Sequence, residues 1–345
     1  MVTAKKNAVH SGTDEATNID LIGQLVQERQ EEGKDGKSKG VAALSESEVI
    51  GNLFIFYIAG HETSANSIHF SLLLLALHPI VQANVQEELD RIFRGRPISE
   101  WEYDRDLPSL LGGILGAVLN EELRLITPVM AVPKTTGFVP QQLTINGKDV
   151  TLPANMIMKL SVHAVHRNPK FWPHGPPKDA EKPYFPPGNV SNDLEEFKPE
   201  RWIKKKEAPQ KLVKEALRGN PENLAIDTTA NTSASLYTPV KGSYLPFSDG
   251  PRACLGRRFA QVEILAALAV ILTQHTVELA VDEWASDQNV EDMSKEQKKE
   301  TWKKAEEKAN SIWQNKMLCI FTLQIRGAHV PMRFVRRGKE RFRDL

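Results

Sequence analysis

Cysteine is nearly absent: 345 residues contain only Cys254 and Cys319. Two cysteines cannot build a disulfide framework, which points to single-thiol chemistry and a reducing environment. A net charge is absent as well. Lys plus Arg equals Asp plus Glu at 44 each, so no global field draws the chain to nucleic acid or to an anionic bilayer. Residues 1–18 hold no continuous apolar stretch, so neither a secretory signal nor a membrane anchor is expected there. The richest apolar run, 53–77, is interrupted by His61, Glu62 and Asn66. No internal repeat occurs. What is present is an ordinary globular composition, 41% hydrophobic and 26% charged, long enough to bury a sizeable core.

Periodicity predicts a mainly helical chain with a small β component. Ile22, Leu25 and Val26 mark a short amphipathic helix over 19–30, followed by a charged, glycine-punctuated linker. Ser45 with Glu48 forms a capping box, and His78-Pro79 supplies a stop, so one helix of roughly 50 Å is expected between them. Pro79 opens a second helix to Phe93. Pro108 opens a third that runs through NEELRL to Thr127-Pro128, weakened by Gly112, Gly113 and Gly116. LTINGKDVTL alternates about Asn146-Gly147 as a hairpin, and 157–165 continues as strand. Three stretches, near 172–195, 203–240 and 283–316, read as surface insertions, the last highly charged and helical. Cys319, inside the apolar run MLCIFTLQI, reads as a small buried hydrophobe.

The stretch FSDGPRACLGRRFA, 247–260, sets Cys254 at the mouth of a helix whose inward residues are Ile264, Leu265, Leu268, Ile271 and Leu272. Unpaired N–H groups and the positive end of the helix favour a thiolate there. Arg252, Arg257 and Arg258 add cations for a carboxylate-bearing ligand, and the sulfur is a soft donor for a metal. Haem answers both. A nucleophilic thiol is the rival, although it needs a base that the local sequence does not offer. A small buried hydrophobe is the bland alternative.

FxxGxRxCxG, present as Phe247, Gly250, Arg252, Cys254 and Gly256, resembles the haem-ligand loop of the cytochrome P450 monooxygenases. The resemblance implies that Cys254 is the axial ligand of the iron of haem b (iron protoporphyrin IX). It implies that Arg252 pairs with a propionate and that Phe247 packs against the loop. AGHETS, 59–64, is similar to the family's oxygen-binding segment. Helical spacing sets Phe56, Gly60, Thr63 and Ser67 on one stripe. Gly60 then leaves room for O2, the co-substrate, and Thr63 with Glu62 makes a proton relay; a threonine back-bonded to the preceding turn is the local alternative. The pair His61-Glu62 is no zincin motif, because Ala65 stands where the second histidine is required. Glu121 and Arg124 in EELR, with Arg201 in FKPERW, resemble the family's structural ion network, whereas an isolated i,i+3 pair would be an exposed surface contact. HRNP, 166–169, is a further landmark with a positioning role. Lys134 falls where many members carry a second propionate-binding arginine, and supplies the charge without the bidentate fork. His61 and His163 read as satisfied polar residues.

The resemblance runs from about residue 19 to the C-terminus and matches the later part of a family member. It implies a cytochrome P450 fold lacking its N-terminal part, with 1–44 as helix and linker and 45–345 as the haem-binding part. The implied function inserts one oxygen atom from O2 into a small apolar organic substrate. Electrons come from an NADPH-cytochrome P450 reductase-type flavoprotein that docks on the arginines around Cys254, and nucleic acid plays no part. Lipids, xenobiotics and secondary metabolites are the substrate classes that the microsomal, fungal-looking motifs suggest. The family implies the endoplasmic reticulum membrane, while a chain without an anchor implies the cytoplasm. A truncated, catalytically inactive homologue is the second reading.

Overall fold

Ser45 begins the described chain with a capping box. In a computed structural model of the protein, Ser45 Oγ accepts the Glu48 N–H at 3.3 Å, and Glu48 Oε2 accepts the Ser45 N–H at 2.7 Å. The structure describes residues 45–145, 147–177, 191–204 and 233–342. The short helix expected over 19–30, its linker, Asn146 and large parts of the first two insertions lie outside the described residues. From the cap runs α1 (Glu46–Leu77), which stops where Pro79 excludes helical geometry at His78. Two compact units divide within this helix, 1–63 and 64–345. In the first, α1 exposes Phe54, Ile55 and Tyr57.

In the second unit, the rest of α1 packs Phe70, Leu73, Leu74 and Leu75 into one core with α2 (Pro79–Phe93), α4 (Ile114–Leu125) and α6 (Arg257–Gln274). Every residue from Leu115 to Leu125 is buried, so α4 is the central rod, surrounded on all sides. Among the described residues the sheets are four antiparallel pairs: β1 (Ala131–Thr135) with β4 (Ile157–Ser161), β2 (Gln141–Ile145) with β3 (Lys148–Leu152), β5 (His275–Leu279) with β8 (Met332–Arg336), and β6 (Met317–Cys319) with β7 (Leu323–Ile325). Two-stranded sheets are marginal alone and depend on what they pack against. Gln82 of α2 clamps β5, donating to the Val277 carbonyl at 2.9 Å and accepting its N–H at 2.7 Å. The chain is thus mainly α with a small β component. Among the described residues, no single helix is long and apolar enough to cross a membrane.

Four local expectations need correction. The third helix is two: α3 (Tyr103–Gly112) begins before Pro108, and Gly113 breaks it from α4 in an extended conformation. Asp106 starts α3 early by accepting the Glu102 N–H at 2.9 Å. Glu88, on α2, accepts the first N–H groups of α4, Ile114 at 2.8 Å and Leu115 at 3.1 Å. A Cβ at Gly113 would collide with that carboxylate, which is why glycine stands there. The strand expected over 157–165 ends at Ser161, whose hydroxyl caps a single helical turn, α5 (Val162–Val165). Cys319 is exposed, not buried, because a turn at Ile320 and Phe321 makes its run a hairpin instead of a core strand. The helix expected directly after Cys254 begins only at Arg257, with Gly256 as its N-cap.

The charged stretch near the C-terminus forms α7 (Asp287–Asp292) and α8 (Lys295–Lys316). α8 is more than a solvated face: Thr301, Ala305, Ala309 and Trp313, four residues apart, form a buried stripe.

Candidate functional site

The Cys254 loop is shaped by its own backbone. Ser248 and Gly250 both take positive φ, 60° and 78°, where glycine is at home and serine is strained. The Asp249 carboxylate accepts the Gly250 N–H at 2.7 Å and starts a 3-10 turn at Gly250–Arg252. The Cys254 N–H then donates to the Phe247 carbonyl at 2.8 Å, closing the loop, while Phe247 packs against the core. Gly256, by contrast, has φ −82°, and among the described residues no atom stands within 4 Å of where its Cβ would be, so no contact there demands a glycine.

This geometry presents Cys254 outward as a free, exposed thiol just before α6. Leu255 and Phe259 beside it are 82% and 73% exposed, and Arg252 is also exposed. Arg258 lies over the Tyr103 ring, 6.0 Å from its centroid. Among the described residues no group of three or more His, Cys, Asp or Glu could hold a metal ion. A metal bound at this lone sulfur would therefore bring most of its ligands with it, as a macrocycle does, and the apolar neighbours and guanidinium suit a flat apolar ring with acidic substituents. The donor set fits haem.

Behind the loop lies a sealed ion network. Glu121 and Arg124 are completely buried and paired bidentately, Nε to Oε2 at 2.7 Å and Nη2 to Oε1 at 2.9 Å. Arg201 Nε reaches Glu121 Oε1 at 3.4 Å. Trp202 Nε1 donates to Glu121 Oε2 at 2.8 Å and the Lys198 N–H to Oε1 at 3.1 Å. Burial pushes the Glu121 pKa up, but Arg124, Arg201 and the Trp202 N–H overcome it and hold the carboxylate below its usual range. A second buried carboxylate, Asp193, accepts from Arg201 at 3.1 Å and from Lys198 Nζ at 2.8 Å. Arg124 also sits 5.5 Å from the centroid of Trp172. Glu122, next in sequence, is the exception: both oxygens are buried without a hydrogen-bond partner among the described residues. Burial raises its pKa well above the ordinary carboxylate value, favouring the neutral form.

A family model for cytochrome P450 matches residues 1–177 and 192–303. The chain belongs to the cytochrome P450 family. It is 33% identical over 272 residues to a cytochrome P450 monooxygenase of Arthrobotrys oligospora, covering 76% of this chain and 42% of that protein. It is 29% identical to the phomenoic acid biosynthesis cluster cytochrome P450 monooxygenase of Leptosphaeria maculans, over 81% of this chain and 42% of the relative. With mouse cytochrome P450 3A13 it shares 27% identity over 76% of this chain and 40% of the relative. The chain thus spans about two fifths of the length of these relatives.

The sequence-predicted residues of this P450 chain fall into separate groups. Phe247, Gly250, Arg252 and Gly256 form its loop, and Glu121, Arg124 and Arg201 meet in the network. Lys134 is exposed on β1, opposite Met158. Gly60, Glu62 and Thr63 lie on the portion of α1 that belongs to the first unit. There the Thr63 hydroxyl donates to the Ala59 carbonyl at 2.7 Å, the back-bond of the local alternative. His61 stacks on Tyr57, ring centroids 5.4 Å apart. His163 meets Arg167 Nη1 at 2.8 Å, and burial with the nearby arginines lowers its pKa to about 4. Sequence reasoning missed Asp193, Trp202, Lys198 and Glu122. Trp202 and Lys198 flank Arg201 in FKPERW and were open to notice; Asp193 follows a proline-rich stretch that gives no sign of it.

Proposed function

We propose that the chain holds haem b with Cys254 Sγ as its axial ligand, in a monooxygenase that inserts one oxygen atom of O2 into a small apolar substrate. The other oxygen atom leaves as water, and the two electrons required come from NADPH through a reductase-type flavoprotein. One observation carries the reading: the exposed Cys254 thiol on a closed loop at the mouth of α6, with Arg252 and apolar Leu255 and Phe259 beside it. Haem supplies the redox chemistry by which dioxygen is reduced and split. Cys254 lies just before the N-terminal end of α6, the positive pole of the helix. Arg252 would pair with one propionate and Lys134 with the other, and Gly256 would leave room for the ring. Glu121, Arg124 and Arg201 hold the segments beneath the loop in place.

Gly60, Glu62 and Thr63 take the distal roles. Gly60 leaves space for O2, and Glu62 feeds protons to Thr63. With its own proton directed at the Ala59 carbonyl, the Thr63 oxygen has lone pairs free to accept one, and rotation about χ1 turns the hydroxyl to deliver it. The fungal relatives, one named for a biosynthesis cluster, support a secondary-metabolite substrate, and the microsomal members of the family support action at the endoplasmic reticulum membrane. Arg252, Arg257 and Arg258 give the proximal face the positive charge that an acidic flavoprotein would seek.

The test is a spectrum. Purified protein supplied with haem, then reduced under carbon monoxide, should show the red-shifted Soret band of a thiolate-ligated haem. A protein that stays colourless, or whose band lies where a thiol or imidazole ligand puts it, contradicts the reading.

A further inference from the structure

His166 links the buried ion network to the segment that carries Cys254. Its ring is completely buried, between Tyr244, with centroids 5.3 Å apart, and Trp172 at 6.4 Å. Nδ1 donates to the Arg124 carbonyl at 3.2 Å, and Nε2 accepts the Leu245 N–H at 2.7 Å. Arg124 answers through Nη1, which donates to the His166 carbonyl at 3.1 Å. A carbonyl on one nitrogen and an N–H on the other allow only the neutral Nδ1–H tautomer. Burial, with Arg124 close by, lowers the His166 pKa to about 3, so that form persists throughout the physiological range.

Leu245 stands two residues before Phe247. The Leu245 carbonyl accepts the Ser248 N–H at 3.1 Å, and the Phe247 carbonyl accepts the Cys254 N–H at 2.8 Å. The neighbouring Tyr244 hydroxyl donates to the Asn120 carbonyl of α4 at 3.2 Å. Both residues at the entrance to the loop are thereby tied to α4, and the Leu245 tie passes through one imidazole nitrogen.

We propose that His166 is a positioning residue for the cysteine loop: its neutral imidazole fixes the Leu245 amide, and through the turn that follows it sets where Cys254 Sγ stands. The consequence for haem ligation rests on the function proposed above; the geometric link does not.

Three measurements on the full chain test this. Amide hydrogen exchange is compared for the wild type, His166→Ala and His166→Gln, whose side-chain oxygen reaches the place of Nε2. His166→Ala should speed exchange over 245–254 about tenfold, with α2 and α6 unchanged, and His166→Gln should recover most of the protection. No change in the loop, or an equal rise everywhere, overturns the proposal. In the wild type, which needs no variant to fold, nitrogen–nitrogen coupling across the hydrogen bond between the Leu245 amide and His166 Nε2 should be detectable by NMR; its absence overturns the proposal. With haem and carbon monoxide, the thiolate-ligated fraction should fall in His166→Ala and return in His166→Gln; an unchanged fraction overturns the effect on Sγ. A wild-type chain with no thiolate-haem band sinks the proposed function instead, while the exchange and coupling results still decide the role of His166.

Discussion

The two sides of the Cys254 loop follow opposite rules. Beneath it, Glu121, Arg124, Arg201 and Asp193 are buried charges, each paired and further satisfied by Trp202, backbone N–H groups or carbonyls. On its outer side, Leu255, Phe259 and Cys254 are exposed, although apolar side chains and a thiol are usually the first to be buried. Charge inside is tolerated only when it is fully paired, and that makes the lower side stiff. Apolar surface outside is the usual mark of a place where something binds. A rigid support and an open ligand platform are therefore joined by a few hydrogen bonds, those of Leu245 to His166 and of Tyr244 to Asn120.

The largest break in this contrast is expected from Glu121→Ala. It strands Arg124 without its carboxylate in a dry core and should cost about 3–5 kcal/mol of unfolding free energy, read from the urea midpoint; a loss below about 1 kcal/mol would show that the network is not sealed. Glu122→Gln should act the other way. Glu122 has a folded-state pKa raised above the ordinary value of 4.5, so the native state binds an extra proton, and stability falls as pH rises above 4.5. The slope is about 1.4 kcal/mol per pH unit until the raised value is reached. The glutamine variant should match the wild type below pH 4.5 and gain on it steadily above; parallel stability curves would contradict the burial of that carboxyl. Glu121 titrates with the opposite sign. Its pKa is depressed, so its contribution is intact above 4.5 and is lost as pH falls through the depressed value.

On the outer side the expected stability effects are small. Phe259→Ser should change unfolding free energy by no more than about 0.5 kcal/mol yet weaken haem uptake several-fold. A large loss of stability with unaltered uptake would make Phe259 a core residue. The smallest expected effect is that of Arg257→Glu, which should slow electron transfer, most at low salt. Rates equal to wild type at every ionic strength would remove the arginines from the docking face.

Local signals were legible and distant ones were not. The Ser45-Glu48 cap, the stop at Pro79 and the hairpin that turns at Gly147 are encoded within a few residues. The break at Gly113 is not, because its cause, Glu88, comes from another helix. Cys254 stood out through its neighbours' types and spacing. His166 lies 79 residues from the amide it holds, and only the fold brings the two together. Apolar composition misled at Cys319, since a hairpin and a core strand share the same letters.

Cys254→Ser gives the most direct trial. Serine keeps the loop's shape and removes only the soft sulfur, so the unfolding midpoint should hold while the red-shifted ferrous carbon monoxide band disappears. If the band survives in the serine variant with its position and intensity intact, the iron is not held by this sulfur and the account is wrong.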